Sequence, residues 1–247
     1  MLSRFFDWSR HFIWRLPSAL PSSCALCGCS HEQALCDDCE QRFFKHAPLR
    51  CHQCASPLLR TDAPTQRCGA CLTDPPAFDT TIVAGDYAAP VDHLVLALKF
   101  GNRLALAPLF AHMLRDAILR EPVFAMPAVL TAVPLGEKRL TERGFNQALE
   151  IAKPLARAIA IPLAPQLLER TRDTLMQSML HPAERHRNMR HAFVLPAHAG
   201  ALVQGQHVGV VDDVMTTGVT MNEIAVTLKR HGAVRVTNLV FARTPPK

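Results

Sequence analysis

Apolar runs alternate with amphipathic stretches from Thr80 to the end of the chain. The short runs rich in Val, Leu and Ile fit buried strands, and the longer segments between them repeat apolar residues at helical spacing. This alternation is typical of an α/β domain with a mainly parallel sheet. The predicted strands lie near residues 80–86, 128–134, 163–168, 207–211 and 234–241, and the predicted helices cover 90–99, 103–120, 145–160 and 219–231. Pro154 is expected to bend or break the third of these helices.

The part of the chain before residue 77 has a different composition. All nine cysteines lie between Cys24 and Cys71, whereas most of the net charge of +6 comes from the rest of the chain. Two segments of such different chemistry indicate two modules joined near the linker Thr73–Pro76. Residues 2–16 also carry apolar side chains at helical spacing. We therefore predict an amphipathic leader over 1–22, a cysteine module over 23–76 and an α/β domain over 77–247.

Eight of the nine cysteines form four CxxC units. Each unit places two thiols on one backbone knuckle, and two knuckles complete a tetrahedral zinc site with no open position for chemistry. The predicted ligands are Cys24, Cys27, Cys36, Cys39, Cys51, Cys54, Cys68 and Cys71. The gaps suit pairing of neighbouring knuckles, but interleaved pairing is also open, and Cys29 is left over. Two structural zinc ions, each bound by about 10–16 kcal/mol, would dominate the folding free energy of so small a module.

Disulfides and an iron–sulfur cluster are the alternatives to zinc. Disulfides need an oxidising compartment, and Met1–Leu16 lacks the continuous apolar core of a secretory signal. An iron–sulfur cluster has no evident electron-transfer partner elsewhere in the chain. The longest apolar stretch, Pro122–Leu135, is too short and too rich in proline to span a bilayer. We therefore expect a cytoplasmic zinc protein that is not inserted in a membrane.

The segment Val208–Thr220 has the composition of a phosphate-binding turn. A buried strand ends at Asp212 and Asp213, and a loop rich in Thr and Gly leads into a helix whose first amides are unpaired donors. Carboxylates beside a phosphate suit the vicinal hydroxyls of a sugar, with Mg²⁺ nearby. The alternative is a plain strand-to-helix turn in which one aspartate caps the helix. Because two acidic residues precede Thr216–Thr220, we favour a phosphosugar site.

Residues Asp212–Thr220 resemble the phosphoribosyl pyrophosphate (PRPP) motif of type I phosphoribosyltransferases. With the four CxxC units, Val133–Pro134 and Arg143–Gln147, the chain resembles the ComF family from about Cys24 to Arg243. Further matching segments are Leu98–Phe100, Arg170–Phe193 and Ala242–Arg243. The resemblance implies a type I phosphoribosyltransferase-like fold, a mainly parallel sheet flanked by helices, preceded by a small double zinc ribbon.

The resemblance also implies residue roles. Asp212 and Asp213 would hold the ribose hydroxyls, directly or through Mg²⁺. The 5′-phosphate would be held by Thr216, Thr217, Gly218, Val219 and Thr220. Arg143 and the Gly144 backbone would meet the diphosphate, and Arg143 would act with the two aspartates in catalysis; the alternative for Arg143 is an ordinary surface charge. Transferases of 6-oxopurines carry a carboxylate where this chain has Thr216, which cannot act as a base at neutral pH, so a hypoxanthine or guanine acceptor is disfavoured.

Two functions are open from the sequence. The first is a phosphoribosyltransferase that uses PRPP with Mg²⁺ and an unknown acceptor. The second is a non-catalytic module that binds single-stranded DNA or regulates, because ComF relatives are associated with natural transformation and DNA uptake. Arg170–His191 carries five arginines that suit either a lid over a diphosphate or a nucleic-acid patch. Aromatic residues make up only 6% of the chain, which offers few rings for base stacking. A homodimer is a further partner that the sequence leaves open.

Overall fold

A computed structural model describes residues 22–45, 48–58, 66–171 and 192–245. The predicted leader, apart from its last residue Ser22, and residues 172–191 of the arginine-rich segment lie outside these ranges. The strands of the described part are β1 (Ser22–Ser23), β2 (Ser30–His31), β3 (Thr80–Asp86), β4 (Val129–Ala132), β5 (Glu169–Arg170), β6 (Phe193–Val194), β7 (His207–Met215) and β8 (Arg235–Arg243). Its α-helices are α1 (Asp37–Glu40), α2 (Gly69–Thr73), α3 (Val91–Phe100), α4 (Leu106–Arg120), α5 (Glu137–Arg143), α6 (Gln147–Ala158) and α7 (Val219–Arg230). A π-helical turn covers Gln41–Lys45, and a 3-10 helix covers Ala197–Leu202.

The principal sheet has four parallel strands in the order β3-β8-β7-β4. The two central strands, β7 and β8, are almost wholly buried, as their continuous apolar runs predict for a parallel sheet covered on both faces. Helices α4 and α6 pack on each other and on the sheet, and α7 packs against β7 and β8. The predicted α/β fold with a mainly parallel sheet flanked by helices is confirmed.

Three expectations about the elements need correction. Residues 163–168 form no strand; Leu163 makes only an isolated bridge to Leu130, because the segment passes the edge strand β4 without extending along it. The polar helix α5 was not predicted, since none of its residues is buried and it lacks an apolar stripe. Pro154 lies inside α6, yet the helix is continuous over Gln147–Ala158. Its apolar face, which includes the fully buried Ile151 and Leu155, holds it against the sheet.

The cysteine module packs directly on the sheet. Phe44, from the π-helical turn, is buried, and its ring centroid lies 5.9 Å from that of Phe241 in β8. Gly85 of β3 lets this ring approach, since a Cβ there would lie 3.3 Å from Phe44 Cε1. Burying one such phenylalanine contributes about 1.5–3 kcal/mol. In the second half of the module, Gln53 Nε2 donates to the Phe78 carbonyl at 2.9 Å. These contacts place the cysteine clusters within reach of the carboxyl edge of the sheet.

Among the helices of the described residues, none combines the length and the apolar composition that a membrane span requires.

Candidate functional site

Two groups of four thiols are assembled in the cysteine module. The first tetrad consists of Cys24, Cys27, Cys29 and Cys36, and the second tetrad consists of Cys51, Cys54, Cys68 and Cys71. Within each tetrad all sulfur atoms lie within 4.8 Å of one another. The distance between Cys27 Sγ and Cys36 Sγ is 3.7 Å, and that between Cys54 Sγ and Cys68 Sγ is 3.6 Å. A tetrahedron with Zn–S bonds of about 2.3 Å has edges of about 3.8 Å, so both tetrads fit a structural zinc ion. Neighbouring knuckles pair, as the gaps favoured.

The first tetrad differs from the predicted ligand set in one residue. The sequence assigned Cys39 as the fourth ligand, whereas the structure brings Cys29 to this group. Gly28 adopts a left-handed conformation with φ of +75°, and this turn folds the chain back so that Cys24 N donates to Cys29 O at 2.8 Å. Cys39 is buried beside the same group. The first metal site therefore has five candidate thiols, four of which form the tetrad.

In each tetrad a backbone amide approaches one of the sulfur atoms. Cys36 N lies 3.4 Å from Cys24 Sγ, and Cys68 N lies 3.3 Å from Cys51 Sγ, so the two tetrads share the same internal hydrogen bond. Burial raises the pKa of the Cys24 thiol, but hydrogen bonds from the backbone, led by Cys27, outweigh it and lower the pKa to about 6. Because the thiolate is the metal-binding form, this thiol is ready for zinc at neutral pH.

A cavity of about 270 Å³ opens at the carboxyl edge of the principal sheet. It lies where β4 and β7 end and α7 begins, the usual ligand position in an open parallel sheet. Its walls carry two carboxylates and four cations, a balance suited to an anionic ligand that also presents hydroxyls. The lining residues are Tyr87, Lys99, Val133, Leu135, Arg139, Arg143, Gln147, Arg170 and residues 212–221.

The two aspartates lie on one wall of this cavity. β7 continues to Met215, so Asp212 and Asp213 belong to its last residues and do not end it as predicted. Asp213 is buried, and its Oδ2 lies 3.0 Å from Lys99 Nζ at the end of α3. Asp212 Oδ1 accepts a hydrogen bond from the Asp213 amide at 2.9 Å. Burial, followed by the charge of Asp213, raises the pKa of Asp212 to about 8. Asp213 is thus held in an ion pair with Lys99, and the burial of Asp212 favours its protonated form.

The raised pKa of Asp212 predicts how Asp212→Asn changes stability. Burial favours the protonated carboxyl in the folded state, whereas the same carboxyl in the unfolded chain ionises near its ordinary pKa of 3.8. The contribution of Asp212 to the free energy of unfolding is therefore complete at low pH and is lost as the pH rises from 3.8 towards 8. We expect the asparagine variant to exceed the wild type in unfolding free energy by about 2 kcal/mol at pH 8.5, with a smaller difference at pH 5. This difference in unfolding free energy is smaller than the full pKa shift would give, because the Asp212 side chain is partly exposed to solvent.

Urea denaturation at both pH values, without PRPP or divalent cations, measures the difference. Asp116→Asn, at a half-exposed carboxylate paired with its neighbour Arg115, is the control for the loss of a carboxylate outside the cavity lining. A wild type as stable as the Asp212→Asn variant at pH 8.5 would contradict the prediction.

Residues 216–220, here called the phosphate loop, all line the cavity together with the two aspartates. Gly218 precedes α7 with φ of +82°, a left-handed conformation, and a Cβ there would lie 2.6 Å from Met215 Cε. Thr217 Oγ1 accepts a weak hydrogen bond from Val219 N at 3.5 Å. Since α7 is a 12-residue helix, its first amides and its dipole point towards this loop. The predicted phosphate-binding residues and carboxylates are thus gathered in one cavity.

The predicted diphosphate residues are separated by the structure. Arg143 lines the cavity, and its guanidinium lies 5.1 Å from the centroid of the exposed Phe100 ring. It is the last residue of α5, whereas the sequence placed it just before a helix. Gly144 is absent from the cavity lining, and its N–H donates to the Leu140 carbonyl at 2.7 Å to close α5. This amide is therefore engaged, and the diphosphate role rests on Arg143. Asn146 caps α6 and ties it to the end of β4, with Nδ2 donating to Val133 O at 3.0 Å.

Lys99 and Gln147 are two of the lining residues that had no role assigned from the sequence. Lys99 was noted only within a family segment, and its pairing with Asp213 spans more than a hundred residues. Gln147 is 5% exposed, and in the described part of the chain its Oε1 has no hydrogen-bond partner. A buried amide oxygen without a partner is costly, so a donor from a bound ligand would satisfy it. The sequence signals for Gln147 were its place in the family segment Arg143–Gln147 and its polar character early in the apolar helix α6.

Comparisons with known proteins agree with this architecture. The family model for the phosphoribosyl transferase domain matches residues 146–246. The DNA utilization protein YhgH of Escherichia coli strain K12 is 35% identical over 213 residues, which cover 85% of this chain and 90% of that protein. Competence protein F of Haemophilus influenzae is 33% identical over 205 residues, covering 81% of this chain and 86% of that protein. The chain belongs to the ComF family.

Among solved structures, this ComF protein is similar to the glutamine PRPP amidotransferase of B. subtilis, with 22% identity and a TM-score of 0.37. The match covers 55% of this chain and 26% of that chain.

Proposed function

We propose that this ComF protein binds PRPP together with Mg²⁺ and transfers the phosphoribosyl group to an acceptor. The observation that carries the proposal is the single cavity shared by the two aspartates and the phosphate loop. The loop offers amides and hydroxyls to a 5′-phosphate, and the carboxylates offer acceptors to ribose hydroxyls. Lys99, Arg139, Arg143 and Arg170 supply positive charge for a diphosphate on the same walls.

The chemistry of this transfer is a displacement at ribose C1. The acceptor forms a bond to C1, the bond from C1 to the diphosphate oxygen breaks with its electron pair, and the acceptor gives up a proton. Arg139 and Arg143 would stabilise the charge that develops on the leaving diphosphate. Asp212 and Asp213 are the residues that would hold Mg²⁺, which supplies further charge neutralisation when bound. Thr216 offers no base, so the acceptor needs a nucleophile that loses its proton readily or brings its own base.

Isothermal titration calorimetry of the zinc-loaded full chain tests the proposal. The ligands are PRPP with Mg²⁺, PRPP in buffer without divalent cations, and ribose 5-phosphate with Mg²⁺. We expect the first to bind most tightly. Arg143→Ala should weaken PRPP binding about tenfold and leave ribose 5-phosphate unchanged, since only PRPP carries the diphosphate. Arg120→Ala, at an exposed arginine away from the cavity, is the matched control. Absence of heat with PRPP and Mg²⁺ would refute the proposal.

A second candidate is single-stranded DNA, either as the acceptor or as the ligand of a non-catalytic protein. The names of the relatives refer to DNA utilization and competence. In the structure, Phe100 is 67% exposed beside Arg143 at the cavity, a ring and a cation available to a base and a phosphate. Fluorescence anisotropy with a labelled oligonucleotide at low salt tests this, with Phe100→Ala expected to weaken binding. No binding at low salt would remove this candidate.

We place this activity in the cytoplasm, because eight or nine thiols available to zinc need a reducing compartment. The homodimer stays a prediction.

A further inference from the structure

Arg243, the last residue of β8, connects the second tetrad to the base of the phosphate loop. Its side chain is buried and makes five hydrogen bonds. On one side, Nε donates to the Cys54 carbonyl at 3.0 Å, and Nη2 donates to Ser56 Oγ at 3.3 Å. On the other side, Nη1 donates to the carbonyls of Met215 and Thr216, with 3.1 Å to Met215 O. The planar guanidinium thus spans a metal knuckle and the start of the loop.

The contacts continue to the sulfur itself. Ser56 Oγ lies 3.3 Å from Cys54 Sγ as well as 3.3 Å from Arg243 Nη2, so one hydroxyl joins the thiol to the guanidinium. A zinc ion with four thiolates carries a net charge of about −2, which would compensate a buried arginine cation. Without an ordered knuckle, Arg243 would lose two of its acceptors and this charge partner. A buried cation without these partners has an unfavourable free energy, so the residues around Arg243 would rearrange.

A second contact runs parallel to the first. Gln53, between the two thiols of the same knuckle, donates to the Phe78 carbonyl at 2.9 Å. The Phe78 ring lies 3.8 Å from the position that a Cβ of Gly218 would take, directly beneath the phosphate loop. The first tetrad approaches the sheet differently, through Phe44 against Gly85 and Phe241. The second tetrad is therefore linked to the phosphate loop by Arg243 and Gln53, whereas the contacts made next to the first tetrad lead to β3 and β8.

We propose that Arg243 is a positioning residue through which the metal-loaded second tetrad sets the conformation of the phosphate loop. Metal binding at this tetrad and anion binding at the loop are then coupled, and the coupling is reciprocal. The first tetrad does not share it. The identity of the anion as PRPP rests on the function proposed above, whereas the effect on the loop itself does not.

Hydrogen exchange of the amides of residues 216–220 in the full zinc-loaded chain tests the positioning role without any ligand. The variants are Arg243→Gln, Arg243→Lys, Cys68→Ser in the second tetrad, and Cys36→Ser at the equivalent position of the first tetrad. We expect Arg243→Gln and Cys68→Ser to raise exchange in the loop by about tenfold, with partial rescue by lysine and no change with Cys36→Ser. Equal effects of the two cysteine variants would overturn the proposal, since they would indicate general destabilisation. Unchanged exchange in Arg243→Gln with full zinc content would also overturn it.

The reciprocal effect of ligand binding on zinc release can also be measured, and a purely structural role of Arg243 would not produce it. PRPP with Mg²⁺ should slow the release of one of the two zinc ions to a chromogenic chelator by about fivefold in the wild type. In the wild type, the zinc ion whose release is not slowed serves as the internal control. In Arg243→Gln, PRPP with Mg²⁺ should leave the release rates of both zinc ions unchanged. Equal slowing in both proteins would contradict the coupling. If the wild type does not bind PRPP, the proposed function fails, and the exchange experiment still decides the role of Arg243.

Discussion

Zinc-depleted protein is expected to lose the folded cysteine module, the largest single effect that we predict. Each tetrad has the donor set and the sulfur separations of a Cys₄ zinc site. Binding of about 10–16 kcal/mol per structural zinc exceeds what a core of this size supplies, so removal of the metal should unfold the module. The sheet should become less stable too, because Phe44 and Gln53 would lose their fixed positions against β3 and β8.

Metal analysis of the purified chain should find two zinc ions, and a strong chelator should remove both. The melting temperature should then fall, with loss of circular dichroism from the module, and added zinc should restore both. The preparation should be colourless, which distinguishes zinc from an iron–sulfur cluster, and the denatured chain should titrate as free thiols. A metal-free protein with unchanged melting, or thiols locked in disulfides, would contradict the assignment.

The double variant Asp212→Asn/Asp213→Asn should lose most of its affinity for PRPP with Mg²⁺, by about 100-fold. Hydrogen bonds to charged groups contribute about 1.5–3 kcal/mol each, and asparagine keeps the shape while it removes both the charge and the cation-binding oxygens. Lys99, which lies 3.0 Å from Asp213, would also lose its ion-pair partner. The isosteric change limits the structural damage that alanine would cause at the buried Asp213.

Calorimetry measures this loss, with melting curves of the ligand-free proteins as a check of folding. Asp116→Asn removes a carboxylate that is not part of the cavity lining and should leave the affinity unchanged. An affinity of the double variant within about threefold of the wild type would exclude the aspartates from the binding site and leave the phosphate loop as the sole anchor.

Several parts of this protein follow from short stretches of its sequence. The four CxxC units predict two metal sites because two residues between cysteines already bring two thiols together. The alternation of apolar runs predicts a parallel sheet because buried strands and amphipathic helices have different periods. The turn from Asp212 to Thr220 is likewise local, and its residues line one cavity. In each case the chemistry depends on residues that are close neighbours along the chain.

Other features left no signal in these patterns. Cys29 reaches the first tetrad through a left-handed turn at Gly28. The Gly144 amide donates its hydrogen bond to the Leu140 carbonyl, although the motif around Gly144 predicted that this amide would bind a ligand. Helix α5 has no buried residue, so its sequence carries no periodic signal.

Spacing over a few residues was enough to predict the four cysteines of the second tetrad, the class of fold and the acidic and threonine-rich turn. Three features are visible only in the folded chain: Lys99 pairs with Asp213, Gln147 presents an unsatisfied oxygen at the cavity, and Arg243 joins a cysteine knuckle to the loop. Those contacts form where the carboxyl ends of parallel strands and the packed cysteine module meet, and burial makes each polar group there depend on a partner far away in the chain.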